Sequence, residues 1–598
     1  MKSEKTGYPS KDMPQLKYYR KNPLRDFEVN QKTYTLIKDV NQYNLGYHAI
    51  GYLGQNISYQ KLLEDVETAA KAFNLLGVKD GDVVPILTTN TPEVAVMFLA
   101  LNKIGAVSKW VDLRSGEQEL IHHFNMHDCK ICVCFDKVLK GLENILEHTN
   151  IKNVIVNKPV DSLPKVKQIG YDIITKIKEP NSVIPKDKKF ITYEQFMNFA
   201  KECQKFSCNL RSTYDKDKPS LIVQSSGTTG MSKSIVHTDY SINNSFKEWS
   251  YTDFPFYPGN TLLVTVPPFV AYGLIGSYFL ALSHGMKAEL CPVIDAVTVY
   301  DNLGKFDISF GAPLHYRYLK DQIDTKKDQD KIKDLLKVKA FVTGGDKISE
   351  KELKEIEELL KSYGCYAPVL NGYGNNEGLG AECVNPYMHN KHGSIGVPLP
   401  FNKFVAVDLN TGEELKYGEV GEICVQTETK FQEYTNNPIA TNEIKQVHSD
   451  GNEWLHSGDL GYIDEEGYIF LKGRLRRVII KAAFKISPDT IEKVICSHSA
   501  VKDCVTVGVN DPKDLSVPMA FIVLKEEYLD NKNQILEEIK EICKKGLKDY
   551  EFPTYFEFID AIPYTANNKQ DFRKLENLGN ELIENKNSFG KSPKVLKK

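Results

Sequence analysis

Net charge is almost absent from this 598-residue chain: 76 lysines and arginines stand against 79 aspartates and glutamates, a balance of -3. That excludes a broad basic field of the kind that draws in nucleic acid or an anionic membrane. The local exception is the tail from Lys591 to Lys598, with four lysines, which reads as a solvated end. A long uninterrupted apolar run is missing as well. Thr261 to Leu282 comes nearest, but Pro267, Pro268 and Gly273 break it, so a buried strand, turn and helix are expected there and no transmembrane segment. Met1 to Lys21 lacks the apolar stretch of a signal peptide, which predicts a cytoplasmic protein. The twelve cysteines have no framework spacing and fit a reducing compartment. His122, His123, His127, Cys129, Cys132 and Cys134 cluster, yet their spacing matches no common zinc site, and Lys130 to Phe135 reads as a buried strand using cysteine as a small apolar residue. Also missing are internal repeats and the phosphate loop G-x-x-x-x-G-K-[ST] of kinases and GTPases.

Apolar residues are plentiful at 41%, and the length exceeds what one core organises, so several domains are expected. Ser58 to Gly105 shows the plan. A helical stripe (Leu62, Leu63, Val66, Ala69, Ala70, Phe73) stops at Gly77, the strand Val83 to Leu87 follows, and a second helix begins with Thr91 as its cap and Pro92 at its first position. Lys339 to Thr343 repeats the pattern, running as a strand into Gly344-Gly345 before the capping box Ser349-x-x-Glu352 opens a helix ending near Gly364. Strand alternating with helix predicts an α/β fold with mostly parallel sheet and ligands at the carboxyl ends of strands. From about residue 400 to 475 short strands and turns predict a β-rich subdomain, and residues 476–598 a small mobile α+β C-terminal domain behind a large N-terminal domain of mixed and parallel sheets with flanking helices over 1–475.

The most informative segment is Gln224 to Ser234. It packs six hydroxyl side chains, Gly227, Gly230 and Lys233 behind the apolar run Leu221-Ile222-Val223. Glycines let backbone N–H groups turn inward as an anion nest, the hydroxyls of Ser225, Ser226, Thr228 and Thr229 add neutral donors, and Lys233 supplies a mobile charge. A nucleoside triphosphate is the natural guest. The loop resembles the phosphate loop of the adenylate-forming superfamily, [ST]-S-G-T-T-G-x-P-K-G, with Ser232 and Ser234 where proline and glycine are usual.

Four later motifs follow in that superfamily's order. Tyr373-Gly374-Asn375-Asn376-Glu377 resembles Y-G-x-T-E, which implies Tyr373 against adenine, Asn376 near the α-phosphate and Glu377 on magnesium, with Gly344 and Gly374 among the nucleotide contacts. Ser457-Gly458-Asp459 resembles the aspartate motif that accepts bonds from the ribose hydroxyls. Gly473-Arg474-Leu475-Arg476 implies Arg474 on ribose or phosphate and Arg476 as the hinge of the last domain. Pro563 to Lys569 resembles the loop that presents a catalytic lysine, here Lys569, to the substrate carboxylate and α-phosphate.

What the resemblance implies is an acyl-CoA synthetase using ATP, Mg2+ and coenzyme A: a carboxylic acid is converted to acyl-AMP with release of pyrophosphate, and a thiol then displaces AMP. Ala483 lies where the pantetheine tunnel is implied. Phe269, Tyr272 and Gly273 resemble the segment lining the acyl pocket, and since no acidic residue accompanies them an apolar acid, fatty or aromatic, is expected. Three other readings stay open. A stand-alone adenylation enzyme loading a carrier protein shares every motif, a kinase would release ADP, and a catalytically impaired nucleotide-binding homologue would also carry the departures from pattern.

Overall fold

A computed structural model describes residues 5–179, 182–202, 212–225, 232–293, 295–325, 329–477, 479–481, 484–511, 515–547, 551–564 and 570–589. Among these residues the strands form four sheets. Two are large and mostly parallel. The eight-stranded sheet carries Pro219–Gln224 beside Val107–Trp110 and Val83–Leu87, and the nine-stranded sheet carries Thr261–Val264, Ile308–Gly311, Ala340–Thr343 and Val369–Tyr373 in parallel register. Their strands are largely buried, as parallel sheet covered on both faces requires; Ile131–Phe135, with Cys132 and Cys134, is buried at every position.

The helix Tyr59–Leu75 buries the expected stripe and is capped by the Ser58 hydroxyl, which accepts from Lys61 N–H. Pro92–Ile104 is buried along its whole length and ends on Gly105 at φ 85°, a left-handed turn that glycine adopts without a Cβ clash. Its expected cap differs: Thr91 accepts no bond from the helix, and Pro92 alone, with no N–H to satisfy, starts it. The reciprocal box of Ser349 and Glu352 opens Glu350–Ser362. Thr261 to Leu282 forms the strand Thr261–Val264 and, after the proline pair, a helical stretch containing a π-turn over Leu274–Phe279.

The third sheet is antiparallel and lies in the region read as β-rich, with Lys403–Val407, Gly421–Gln426, Glu453–Ile463 and Ile469–Arg474 as its main strands. The fourth belongs to the C-terminal part, where Val501–Asp511 and Leu515–Leu524 pair over ten register positions and the helices Pro488–Ile495, Lys532–Gly546 and Phe572–Phe589 accompany them. Separate apolar clusters lie on this sheet, one including Ile491 and Ile539 and one including Phe521 and Leu575. Among the described residues no helix is long and apolar enough to cross a membrane.

Candidate active site

The two large sheets bring their carboxyl ends to a common region. Pro219–Gln224 turns back as an antiparallel hairpin with Ser234–Thr238, and the neck is closed by Ser225 N–H donating to the Lys233 carbonyl at 2.9 Å and Lys233 N–H donating to the Ser225 hydroxyl at 2.9 Å. Ser226, Gly227, Thr228, Thr229 and Gly230 lie outside the described residues; the neck fixes where their loop begins and ends. Behind it the buried His123 ring faces the Ser232 hydroxyl at 2.9 Å, and that hydroxyl also bonds Glu119. The bond with His123 draws the Glu119 carboxyl down to about 2, while burial lowers the His123 imidazole.

The loop after Val369–Tyr373 is the hub of the site. Asn376 donates through Nδ2 to the Gln224 carbonyl at 2.7 Å and accepts through Oδ1 from Ala271 N–H at 3.0 Å. One amide thus ties the phosphate hairpin to the segment expected to line the acyl pocket, and both of its polar atoms are spent on backbone groups. Its own carbonyl accepts from Nε2–H of the buried His237 at 2.8 Å; burial pulls that imidazole down to about 3 and keeps it neutral. Glu377 accepts from the Tyr434 hydroxyl at 2.6 Å, and Lys233 places its ammonium over the Tyr434 ring, 4.6 Å from the centroid. The lysine of the phosphate loop and the glutamate expected to hold magnesium therefore share one tyrosine.

At the other end of the same loop, Tyr373 donates its hydroxyl to Asp459 Oδ2 at 2.6 Å, and Arg474 Nε donates to Oδ1 at 2.9 Å. Asp459 and Arg474 are directly opposed across the antiparallel pair, so the ladder itself fixes their spacing. Burial and the Asp459 charge push the Tyr373 phenol well above its usual range, and the same carboxylate holds Arg474 more firmly protonated. Glu422 clamps the turn from behind, accepting from Gly458 N–H at 3.0 Å and meeting His456 Nδ1 at 2.9 Å. There Cys424, His448 and His456 bring a thiol and two imidazoles within 4.8 Å of one another, a donor set that suits a borderline ion of the zinc type better than magnesium.

Close backbone approach closes the floor. A Cβ on Gly273 would overlap the Pro267 carbonyl oxygen, and one on Gly374 would come 2.5 Å from that of Gly380; only glycine fits either place. Gly344 abuts the same loop, where an added Cβ would lie 3.2 Å from the Gly372 carbonyl oxygen. Tyr272 is held with its hydroxyl donating to the Gly311 carbonyl at 3.3 Å and its ring stacked on Phe310, and Phe269 lies under the Arg114 guanidinium at 5.4 Å.

Lys569 and Ala483 lie outside the described residues, and Arg476 is described by its backbone alone, in the short turn Leu475–Arg477. The neck of the lysine loop is placed, since Tyr564 and Gln570 form an antiparallel bridge. Burial and the nearby carboxylates of Asp503 and Asp346 raise the Tyr564 phenol, so the loop springs from beside Asp346, two residues past Gly344. Lys347 also reaches Asp489 of the C-terminal part at 2.8 Å.

Several site residues carry no motif that would have marked them. Tyr434, Glu119 and His237 reach the site only through the fold. Glu382 did leave a signal, as a lone carboxylate in the apolar run Ala381 to Val384. It is fully buried, both carboxyl oxygens lack a partner among the described residues, and burial followed by the charge of Glu377 pushes it up to about 8.

The model of the AMP-binding enzyme family matches residues 37–435, and that of the AMP-binding enzyme C-terminal domain matches 490–569. Probable 4-coumarate–CoA ligase 1 of Dictyostelium discoideum is 26% identical over 516 residues, covering 85% of this chain and 87% of its own. A long-chain-fatty-acid–CoA ligase of Escherichia coli O157:H7 is 25% identical over 577 residues, covering 94% and 97%. Among solved structures, the anthranilate CoA ligase AuaEII in complex with anthranoyl-AMP superposes with a TM-score of 0.76 at 19% identity, over 94% of this chain and 99% of that one.

Proposed function

Since the chain belongs to the AMP-binding enzyme family, we propose that it is an acyl-CoA synthetase acting on an apolar carboxylic acid with MgATP and coenzyme A. The observation that carries the reading is the hub loop: five consecutive residues, Tyr373 to Glu377, touch the ribose-side carboxylate, the phosphate hairpin and the acyl-side segment at once. A carboxylate oxygen of the acid attacks the α-phosphorus and the bond to pyrophosphate breaks. The thiol of coenzyme A then attacks the acyl carbonyl, AMP leaves with the bonding pair, and the thiol proton passes to solvent.

In this reading Asp459 and Arg474 hold the ribose, exchanging the Tyr373 hydroxyl for those of the sugar, and Lys233 leaves the Tyr434 ring for the phosphates. Glu377 fits magnesium, because it is a carboxylate whose single hydrogen bond among the described residues comes from a neutral phenol. The ion would neutralise charge on the phosphates. Lys569 comes from the C-terminal domain to meet the carboxylate and α-phosphate, and rotation about Arg476 exchanges its loop for the face that carries Ala483. Domain limits at about 475 fit the turn Leu475–Arg477 between the third and fourth sheets. An apolar acid is favoured because Tyr272 and Phe310 stack in a buried patch beside Gly380 and Leu379.

The test is a panel of fatty, aromatic and amino acids assayed for pyrophosphate and AMP release, with and without coenzyme A. Acid-dependent AMP release with thioester formation on apolar acids is expected. Release of pyrophosphate without consumption of coenzyme A would assign the acceptor to a carrier protein, and ADP as the product would overturn the reading.

A further inference from the structure

We propose that the helix Lys165–Lys178 is an in-plane anchor that docks the protein on an anionic lipid surface. The inference is independent of the reading of the active site. Near-neutral overall charge argued against a membrane partner, but averaging over the chain hides a local arrangement that only the fold reveals.

In a helix each residue advances about 100°, so Val166, Ile169, Ile173 and Ile177 form one stripe, with Ile174 at its margin. These side chains are 81%, 59%, 56%, 76% and 55% exposed. Other amphipathic helices here turn such a stripe inward, as Tyr59–Leu75 does with Leu62, Val66 and Phe73. This one turns it to solvent because its opposite, polar face docks on the domain. Gln168 donates to the carbonyls of Asp161 and Leu163 at 3.0 and 2.8 Å, the Tyr171 hydroxyl donates to Asp136 at 2.6 Å, and Asp172 pairs with Lys158 at 2.7 Å. Thr175 is buried between them.

The lysines decide what covers the stripe. Lys165 and Lys176 flank one edge, about 65–85° from the centre of the stripe, and Lys167 and Lys178 lie on the other side, about 115–135° from it. Lys165 pairs with Glu194 at 2.5 Å; Lys167, Lys176 and Lys178 meet no carboxylate among the described residues. An apolar face bordered by lysines on both edges is the pattern of a helix lying at a lipid interface, apolar side down, with ammonium groups at headgroup level. A second copy of the chain fits poorly: both edges are basic, so any pairing of two stripes sets lysine against lysine. Fourteen residues are too few to span a bilayer, so the helix lies on it.

The experiment is co-sedimentation of the full chain with phosphatidylcholine vesicles, with and without phosphatidylserine. Binding to the phosphatidylserine vesicles that weakens with added salt is expected. Each free lysine near an anionic surface contributes about fivefold in partitioning, so Lys167→Glu with Lys176→Glu lowers binding by about twenty-five-fold or more. Ile169→Asp with Ile173→Asp abolishes it while leaving the thermal transition and acid-dependent AMP release unchanged, because both side chains already face solvent. Failure of the wild-type chain to sediment with anionic vesicles, or wild-type binding by the isoleucine variant, overturns the proposal. So does a wild-type dimer that the isoleucine variant converts to monomer, which would assign the stripe to a second copy, or a lowered thermal transition in that variant, which would mean the stripe is already covered.

Discussion

The wall proposed to face the phosphates and the wall proposed to face the ribose, called here the phosphate and ribose walls, are held by different physics. On the phosphate side Gln224, Ser225 and Lys233 sit at the neck of a hairpin closed by backbone groups and neutral side chains. On the ribose side the buried Asp459 is fixed by charge, between an arginine opposed across a ladder and a phenol with a strongly raised pKa. Backbone-held geometry tolerates changes of side chain, whereas a buried carboxylate with one charged partner does not. Three of the departures from the adenylate-forming pattern fall accordingly. Ser232, Ser234 and Asn376 belong to the phosphate wall, while Asp459 and Arg474 keep the pattern on the ribose wall.

The largest effect is expected from the element that both walls await. Lys569→Ala is predicted to slow acyl-adenylate formation about 10²–10³-fold, the cost of removing one charge-stabilising donor, with ATP affinity nearly unchanged in equilibrium binding. Equal losses in binding and turnover would mean that the lysine holds ground-state nucleotide and belongs to the phosphate wall.

Asp459→Ala comes next. Loss of a charged acceptor costs about 1.5–3 kcal/mol per bond, so ATP should bind roughly ten- to hundredfold more weakly by isothermal titration. A change within twofold would show that the ribose wall is not charge-held. Asn376→Ala should act instead on stability. It strips the buried Gln224 carbonyl and Ala271 N–H of their partners, at about 1–3 kcal/mol for each unsatisfied group, read from the denaturation midpoint, while the ATP Kd moves less than for Asp459→Ala. Lost turnover with unchanged stability would put the amide on the α-phosphate and erase the contrast between the walls.

The remaining effect is one of slope. Glu382 is raised to about 8 in the folded protein, above its ordinary value near 4.5, so the native state binds the proton more tightly than the unfolded chain. Stability from this group is fully present below about 4.5 and is lost as pH rises towards 8. Glu382→Gln should flatten that decline and leave the variant more stable than the parent at the upper end of the window, as followed by denaturation at several pH values. A parallel decline in both proteins would show that the carboxyl is solvated after all.

Much of the architecture was legible from local pattern. Hydrophobic period, the capping box at Ser349 and the glycine stops at Gly77 and Gly105 are short-range signals, and the corresponding elements form where they were expected. Thr91 misled because a threonine before a helix offers a cap without being obliged to make one. In the site, Tyr373, Asp459 and Arg474 were readable as motif and meet within hydrogen-bonding distance. Asn376 was readable as a position but not as a bridge, since its partners lie 152 and 105 residues away. Tyr434 and His237 left no local trace, and nothing in the segment Lys165–Lys178 taken alone says which of its faces meets solvent.

Sequence alone determined which segments become strand or helix and which chemistry is carried on their ends, because propensity, capping and the donors and charges of side chains are local properties. Only the tertiary structure decided that one loop joins three parts of the cleft, that the Glu382 carboxyl is buried, and which face of the helix Lys165–Lys178 meets solvent. Those depend on contacts between residues far apart in the chain, and burial, which sets both a pKa and the availability of an apolar face, does not exist until such contacts form.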